Sequence, residues 1–373
     1  MAIINNIKPF INIGVGDIIR EQMEIRNWKQ KDMSDILGVS LKHINQLLQN
    51  NQPLTLDMAN RLANAFNTSP QYWINIDTNY RLNLKVENNV KENEIKIKSE
   101  IYGKMPIREM YKKHWLRFNK NSDDFKKQIL KFWNVDNLNF DLIMNQFAFN
   151  TRKSEAYTNF NQWHLMCWMQ MAYKSSSKFK TAEYNKDLLV DLYEHINEYT
   201  IKDTGISDFI SSLNNAGVKF IILSHLQKTY LDGAAFFENK NPVIVYTARY
   251  KRIDNFWFTI AHEIAHILLH LKNNKDYFVD IINTKYSEET EKEANALASE
   301  KLHHREILEY FRTNMNYISK SKIIECSEKY KIHPSIIAGT LAYNKKISYS
   351  ITQSFNKNVL SLIPDKYKVE KNN

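Results

Sequence analysis

The stretch from Asp254 to Leu271 reads DNFWFTIAHEIAHILLHL, and it decides how the rest of the chain is interpreted. Apolar residues recur in it at intervals of three and four, at Phe256, Ile260, Ile264, Ile267 and Leu271. This spacing predicts a helix with a broad apolar face against a core, capped at its start by Asp254 or Asn255. Because unpaired polar side chains are costly to bury, the polar residues inside so apolar a helix indicate a function.

Those polar residues are His262, Glu263 and His266, in the order HEIAH. Two histidines four residues apart place both imidazoles on one helix face, near enough to share one Zn2+ at about 2.0–2.1 Å per bond. Glu263 can then reach the water on which a general base is needed. The alternative is a hydrogen-bonded histidine pair in an ordinary buried helix, because HExxH also arises by chance.

A candidate third ligand lies downstream, in SEETEKEANALA from Ser287 to Ala298. A catalytic zinc site takes three protein ligands and leaves the fourth position to water. Glu291 suits this role because Asn295, four residues later on the same face, can steady a ligand. Glu293 points to the other side of the helix and stays the alternative. His270 continues the four-residue spacing without a following glycine, which predicts a supporting or packing role.

HEIAH, EKEANALA and the preceding segment TYLDGAAFFENKNPVIVYTARYKRIDNFWFTI together resemble the ImmA/IrrE family of zinc metallopeptidases. The resemblance covers roughly Thr204 to Leu308. It implies that His262, His266 and Glu291 bind Zn2+ and that Glu263 is the catalytic base. Members of this family cut repressor proteins in bacterial and phage regulation, so the resemblance also implies a protein substrate of that class.

The N-terminal segment has the pattern of a helix-turn-helix. Helices are predicted at residues 18–26, 28–37, 41–49, 54–66 and 70–76. Gly38 permits a sharp connection between the second and third helices, and Ser40 can cap the third. Ile44, Leu47 and Leu48 would face inward, which leaves polar residues of the third helix outward.

This segment resembles the XRE-type helix-turn-helix, closest to HigA-type antidote proteins, from about Val15 to Leu84. The resemblance implies that Gln30 contacts phosphate. It also implies a set of side chains facing the major groove: Ser40, Lys42, His43, Asn45 and Gln46. Amides can read adenine edges, and lysine can reach guanine or phosphate. Through Tyr80, seven acidic residues balance seven basic ones. This balance favours a homodimer on operator DNA, or help from basic regions elsewhere.

After Asp203 the pattern becomes typical of strands. Val218 to Leu223 predicts a buried strand, and Gly233 to Phe237 is predicted to pair with Val243 to Tyr246. A small sheet beside an HExxH helix is the zincin arrangement, in which a strand edge can hold an extended peptide. The sequence does not choose among the candidates for stabilising an oxyanion, which are Tyr230, Tyr246, Arg249 and Tyr250.

Composition bounds the compartment. The formal charge of +10 suits nucleic acid, but Lys, Asn and Ile are abundant together, as an AT-rich coding sequence would produce, so charge alone decides nothing. Cys167 and Cys326 are far apart and fit a reducing compartment. No uncharged apolar run reaches membrane-spanning length, and the N-terminus lacks the pattern of a signal peptide. We therefore predict a cytoplasmic protein without a membrane partner.

The sequence predicts a mostly α fold with a small β-sheet (α+β). The predicted domains are an all-α helix-turn-helix domain at 1–84, a helical connector at 85–203, a zincin-like peptidase domain at 204–310 and a C-terminal helical extension at 311–373. The predicted function is a DNA-binding transcription regulator whose zinc-dependent endopeptidase domain cuts a repressor or partner protein. The alternative is an antitoxin or repressor that binds operator DNA and a toxin, with the zincin domain as a sensing or structural module.

Overall fold

The computed structural model describes residues 12–84, 89–117, 122–146, 161–271, 277–281, 288–312 and 318–370. These residues form many helices and one small sheet, which confirms the predicted fold class. The chain divides into two compact units, Met1–Glu100 and Ile101–Asn373, and the finer domain boundaries stay predictions. None of the helices in the described part of the chain has both the length and the apolar character that a membrane crossing requires.

Helices account for most of the described residues. Helices α1 to α5 are Val15–Ile25, Gln30–Leu37, Leu41–Leu48, Leu56–Phe66 and Pro70–Leu84. Helices α6 to α13 are Asn89–Lys104, Ile107–Lys112, Ser122–Trp133, Phe140–Gln146, Gln162–Ser176, Lys186–Glu194, Ile196–Thr200 and Gly205–Asn215. Helices α14 to α19 are Ile253–Leu269, Glu288–Lys301, His304–Arg312, Lys320–Tyr330, Pro334–Tyr343 and Tyr349–Thr352. Short 3-10 helices follow at Gln353–Phe355, Val359–Ser361 and Asp365–Tyr367.

The turn between α2 and α3 forms as predicted. Gly38 has a φ of 63°, a left-handed conformation that glycine adopts without a steric penalty. The Ser40 hydroxyl accepts a hydrogen bond from the His43 backbone N–H at 3.2 Å and so caps α3. The three apolar residues predicted to face inward are all buried: Ile44, Leu47 and Leu48.

Helix α5 continues to Leu84, well beyond its predicted end at Ile76. The reason is a buried carboxylate that the local pattern does not reveal. Asp77 accepts hydrogen bonds from the Leu54 backbone N–H at 3.0 Å and from Arg81 Nε at 2.9 Å. Because both partners satisfy this carboxylate, the helix gains a fixed anchor beyond the predicted end.

Helix α1 approaches α3 at a glycine. The Gly16 backbone N–H donates to Asn50 Oδ1 at 2.7 Å, and Arg20 Nη1 donates to the Leu48 carbonyl at 2.6 Å. A Cβ atom at position 16 would lie 2.2 Å from that same carbonyl oxygen. The close approach of the two helices therefore requires glycine at this position.

The sheet has four strands in the order β1-β3-β2-β4. They are β1 Lys219–Ile222, β2 Leu231–Glu238, β3 Asn241–Tyr246 and β4 Tyr277–Ile281. β3 pairs with β1 in parallel and with β2 in antiparallel, and Gly233 lies opposite Tyr246. The predicted hairpin is therefore confirmed. β4 was not predicted, and it pairs antiparallel with β2 with an irregularity between Leu231 and Ala234.

Helix α14 lies in the main core of the second unit. Its predicted apolar face is buried, with Phe256, Ile260 and Ile264 fully enclosed. The predicted cap was wrong, because the helix begins at Ile253 after Arg252, which has extended backbone. Asp254 instead accepts a hydrogen bond from Arg252 Nε at 3.1 Å within the first turn.

Residues far along the chain complete this core. Leu341 on α18 and Tyr367 near the C-terminus belong to the same apolar cluster as α14. Both cysteines, Cys167 and Cys326, are buried free thiols. The helices of the predicted C-terminal extension are thus packed on the core that contains the HExxH helix.

We expect Gly16→Ala to lower the free energy of unfolding of the N-terminal unit by about 1–3 kcal/mol, because the new methyl group has to displace the Leu48 carbonyl. Gly103→Ala is the matched control, since a Cβ atom there meets nothing within 4 Å and alanine favours helix. Hydrogen-exchange mass spectrometry in a urea series measures the change in peptides of α1 and α3. Equal protection in both variants would contradict the close approach of these helices.

Candidate functional site

Helices α14 and α15 bring two histidines and a carboxylate together. His262 and His266 are 2% and 0% exposed, and their Nε2 atoms lie 2.9 Å apart. Glu291 Oε2 lies 3.3 Å from His262 Nε2, and Glu291 Oε1 lies 3.4 Å from His266 Nε2. One ligand atom of each residue is within 4.8 Å of the other two. The three side chains therefore point at a common position.

This arrangement fits a single divalent metal ion. Tetrahedral ligands bonded at about 2.0–2.1 Å lie about 3.3 Å from one another, close to the separations found here. Burial raises the pKa of Glu291, but hydrogen bonds from His262 and His266 outweigh it and lower that pKa to about 2. Burial lowers the pKa of His266, which favours the neutral imidazole that a metal requires.

His270 and Glu293 support this cluster from its other side. His266 Nδ1 lies 3.0 Å from His270 Nδ1, and His270 Nε2 lies 2.9 Å from Glu293 Oε2. A metal ligand presents a lone pair at Nε2, so His266 carries its proton on Nδ1 and donates it to His270. His270 then carries its own proton on Nε2 and donates it to the Glu293 carboxylate. Glu293 thus contacts His270, whereas Glu291 faces both Nε2 atoms.

Glu263 is fully buried against the sheet. A Cβ atom at Gly233 would lie 2.4 Å from Glu263 Oε1 and 2.8 Å from Thr259 Cγ2, so only glycine leaves room for the carboxylate beside β2. Sequence reasoning assigned Gly233 to a strand and missed this contact. The available signal was a glycine inside a strand, which marks the close approach of another group.

The four candidates for stabilising an oxyanion have different surroundings. Tyr246 is buried, and its hydroxyl donates to the Tyr250 carbonyl at 2.9 Å, so it holds the segment before α14 in place. Arg249 Nη1 lies 3.7 Å from Asp232, and its guanidinium stacks on the rings of Tyr230 and Tyr250. The choice among the four stays open.

The residues predicted to contact DNA lie on α2, on α3 and at the turn between these helices: Gln30, Ser40, Lys42, His43, Asn45 and Gln46. Lys42 and Asn45 are exposed on α3, and Gln30 is exposed at the first residue of α2. The hydroxyl of Ser40 caps α3, and the other two side chains are half-buried. Their roles in DNA binding stay predictions.

Comparison with known proteins gives two separate family matches. Residues 202–341 match the IrrE N-terminal-like domain of the M78 peptidases, and residues 19–73 match the helix-turn-helix family. YbaQ, an uncharacterized HTH-type transcriptional regulator of Escherichia coli K12, is 35% identical over 80 residues, which are 21% of this chain and 70% of YbaQ. This chain belongs to the helix-turn-helix regulators. It joins a helix-turn-helix transcription-regulator domain to an IrrE-like peptidase-family domain, as the sequence predicted.

Two further matches concern the N-terminal part. An uncharacterized HTH-type regulator of Haemophilus influenzae is 35% identical over 65 residues, which are 17% of this chain and 61% of that relative. The chain therefore spans less than two thirds of that relative's length. A solved structure of an addiction module antidote protein of a HigA family, from Coxiella burnetii, is 24% identical, with 22% of this chain and 91% of that chain covered and a TM-score of 0.21.

We expect His270→Ala to weaken Zn2+ binding by about 10–100-fold, because His266 loses the group that fixes its tautomer and ring orientation. Glu293→Gln should keep most of the affinity, since an amide oxygen can still accept the His270 proton, whereas Glu293→Ala should not. Glu289→Ala, at an exposed position of α15, is the control. Chelator competition on the purified proteins measures the affinities. Equal affinities for His270→Ala and Glu289→Ala would refute the supporting role.

Proposed function

We propose that this protein is a DNA-binding transcription regulator with a zinc-dependent endopeptidase domain that cuts a regulatory protein, such as a repressor or partner. The observation that carries the proposal is the convergence of His262, His266 and Glu291 beside the buried Glu263. An isolated HExxH motif has several explanations. A third ligand at bonding separation, on a different helix, favours the metallopeptidase among them.

The residues around the cluster have distinct tasks. His262, His266 and Glu291 hold Zn2+, which when bound polarises the scissile carbonyl and makes water more acidic. Glu263 takes a proton from the attacking water and passes it to the leaving amine. Its position is fixed because Gly233 lets the carboxylate lie directly against β2.

The helix-turn-helix domain supplies the DNA address. Asn45 suits adenine edges, and Lys42 suits guanine or phosphate. Gln30 lies at the N-terminal end of α2, where backbone N–H groups favour a phosphate. The balanced charge of this domain supports a homodimer on two half-sites of an operator. Since operator binding requires the compartment that holds the chromosome, we propose a cytoplasmic protein.

The decisive test is affinity capture from host cells with Glu263→Gln beside the wild type, followed by mass spectrometry. The variant keeps the three ligands but lacks the base, so it should retain an uncut protein that the wild type releases. We expect purified, zinc-loaded wild type to cut that protein at least about 100-fold faster than the variant. Glu300→Gln, the same change at an exposed site of α15, should cut like the wild type.

Two results would contradict this function. If Glu263→Gln contains equal zinc and cuts the captured protein at the wild-type rate, the assigned mechanism is wrong. If both proteins retain the same small partner uncut, the result favours an antitoxin that binds operator DNA and a toxin. Zinc content measured on each preparation separates loss of the base from loss of the metal.

For DNA, we expect Asn45→Ala to cost about 1–3 kcal/mol of binding free energy and to relax the preference for one base. Lys42→Ala should weaken binding to all sequences and make it less sensitive to salt. Gln71→Ala, at an exposed amide of α5, is the control. Fluorescence anisotropy on a duplex selected from random sequences measures these effects. Wild-type affinity and selectivity in both α3 variants would exclude α3 as the reading helix.

A further inference from the structure

A cavity of about 660 Å³ lies beside the candidate metal centre in the second unit. Phe258 precedes His262 by one helical turn on α14, and Asn295 follows Glu291 by one turn on α15. Both Phe258 and Asn295 line the cavity, and the Phe258 ring centroid is 6.3 Å from that of His262. The cavity is therefore continuous with the faces of the two helices that carry the ligands.

Aromatic side chains form much of the cavity wall. Tyr250, Tyr343 and Tyr349 line it while remaining 41%, 79% and 48% exposed. Deeper inside, the Phe258 ring stacks on His304 with centroids 5.7 Å apart and an interplanar angle of 13°. Exposed tyrosines offer large contact area at low entropic cost, which is typical of surfaces that bind another chain.

The charged groups in this wall already interact within the protein. Arg252 Nε donates to Asp254 Oδ1 at 3.1 Å, and its guanidinium lies 5.5 Å from the ring centroids of Tyr250 and Tyr349. Asp232 lies 3.7 Å from Arg249. A charged occupant would compete with these pairs, whereas a neutral occupant would leave them in place.

His304 adds no charge at neutral pH. It is largely buried, and this burial lowers its pKa to about 4, in spite of the nearby Glu306. The stacked pair of His304 and Phe258 therefore presents a neutral aromatic surface to the cavity. Shape and electrostatics both favour an apolar group over a charged one.

We propose that this cavity binds a large neutral side chain, aromatic or aliphatic, of the polypeptide substrate, at a position close to the bond that is cut. The inference rests on the proposed peptidase function and adds the class of residue that the enzyme selects. Asn295, on the wall nearest Glu291, supplies an amide that can bond the backbone of the bound segment. The tyrosine rim then grips the chain on either side of that residue.

The test is cleavage of a diverse peptide library by the zinc-loaded full-length protein, with products read by mass spectrometry. One position near the cleaved bond should prefer Phe, Tyr, Leu or Met over Gly, Lys and Glu by about 10-fold or more in kcat/KM. Ser299→Trp, which fills the cavity from α15, should abolish this preference and leave the other positions unchanged. Glu300→Trp, the neighbouring exposed position, should retain the preference.

A preference that survives Ser299→Trp, or a preference for charged residues at every position, would overturn the assignment. A binding measurement separates this failure from failure of the proposed function. Zinc-loaded Glu263→Gln is used to select displayed random peptides, with and without the Ser299→Trp change. Selected peptides that share a large neutral residue only when Ser299 is present support the cavity even if no peptide is cut. Identical selections with both proteins would refute it.

Discussion

The second unit depends on one constraint, which is the burial of ionisable side chains inside an apolar helix. His262, Glu263 and His266 are almost fully enclosed on α14, between residues that fill the core. Such burial is costly unless each group is paired. Glu291 meets both histidines from α15, and this contact requires the two helices to pack closely. Buried alanines on α15, at positions 294 and 298, leave room for that approach.

Local patterns were sufficient to predict the helices and the hairpin that carry function. The apolar spacing of α14 fixed which face is buried, and the four-residue interval placed His262 and His266 together. The glycine and serine of the first unit fixed a turn and a cap, because those conformations depend on single residues. In each case the deciding interaction spans only a few positions in sequence.

Features set by distant contacts were not available from such patterns. β4 is short and owes its pairing to β2, which lies far away in sequence. The choice between Glu291 and Glu293 depends on the rotation of α15 against α14, and periodicity within α15 leaves that rotation undetermined. The helix cap at Asp254 was wrong for a related reason. Its carboxylate is used by Arg252 and lies against Gly339 of α18, a contact that only the tertiary fold supplies.

Facing rows on α14 and α15 explain how one helix pair can separate support, metal binding and substrate selection. The row on α14 runs at four-residue intervals through Phe258, His262, His266 and His270, and the row on α15 runs through Glu291, Asn295 and Ser299. Rows of this spacing are the ridges by which helices commonly interdigitate. Glu291 meets the two central histidines, Glu293 binds the last histidine, and the later α15 residues share a cavity with Phe258. Each end of the pair can therefore vary in sequence without moving the ligands between them.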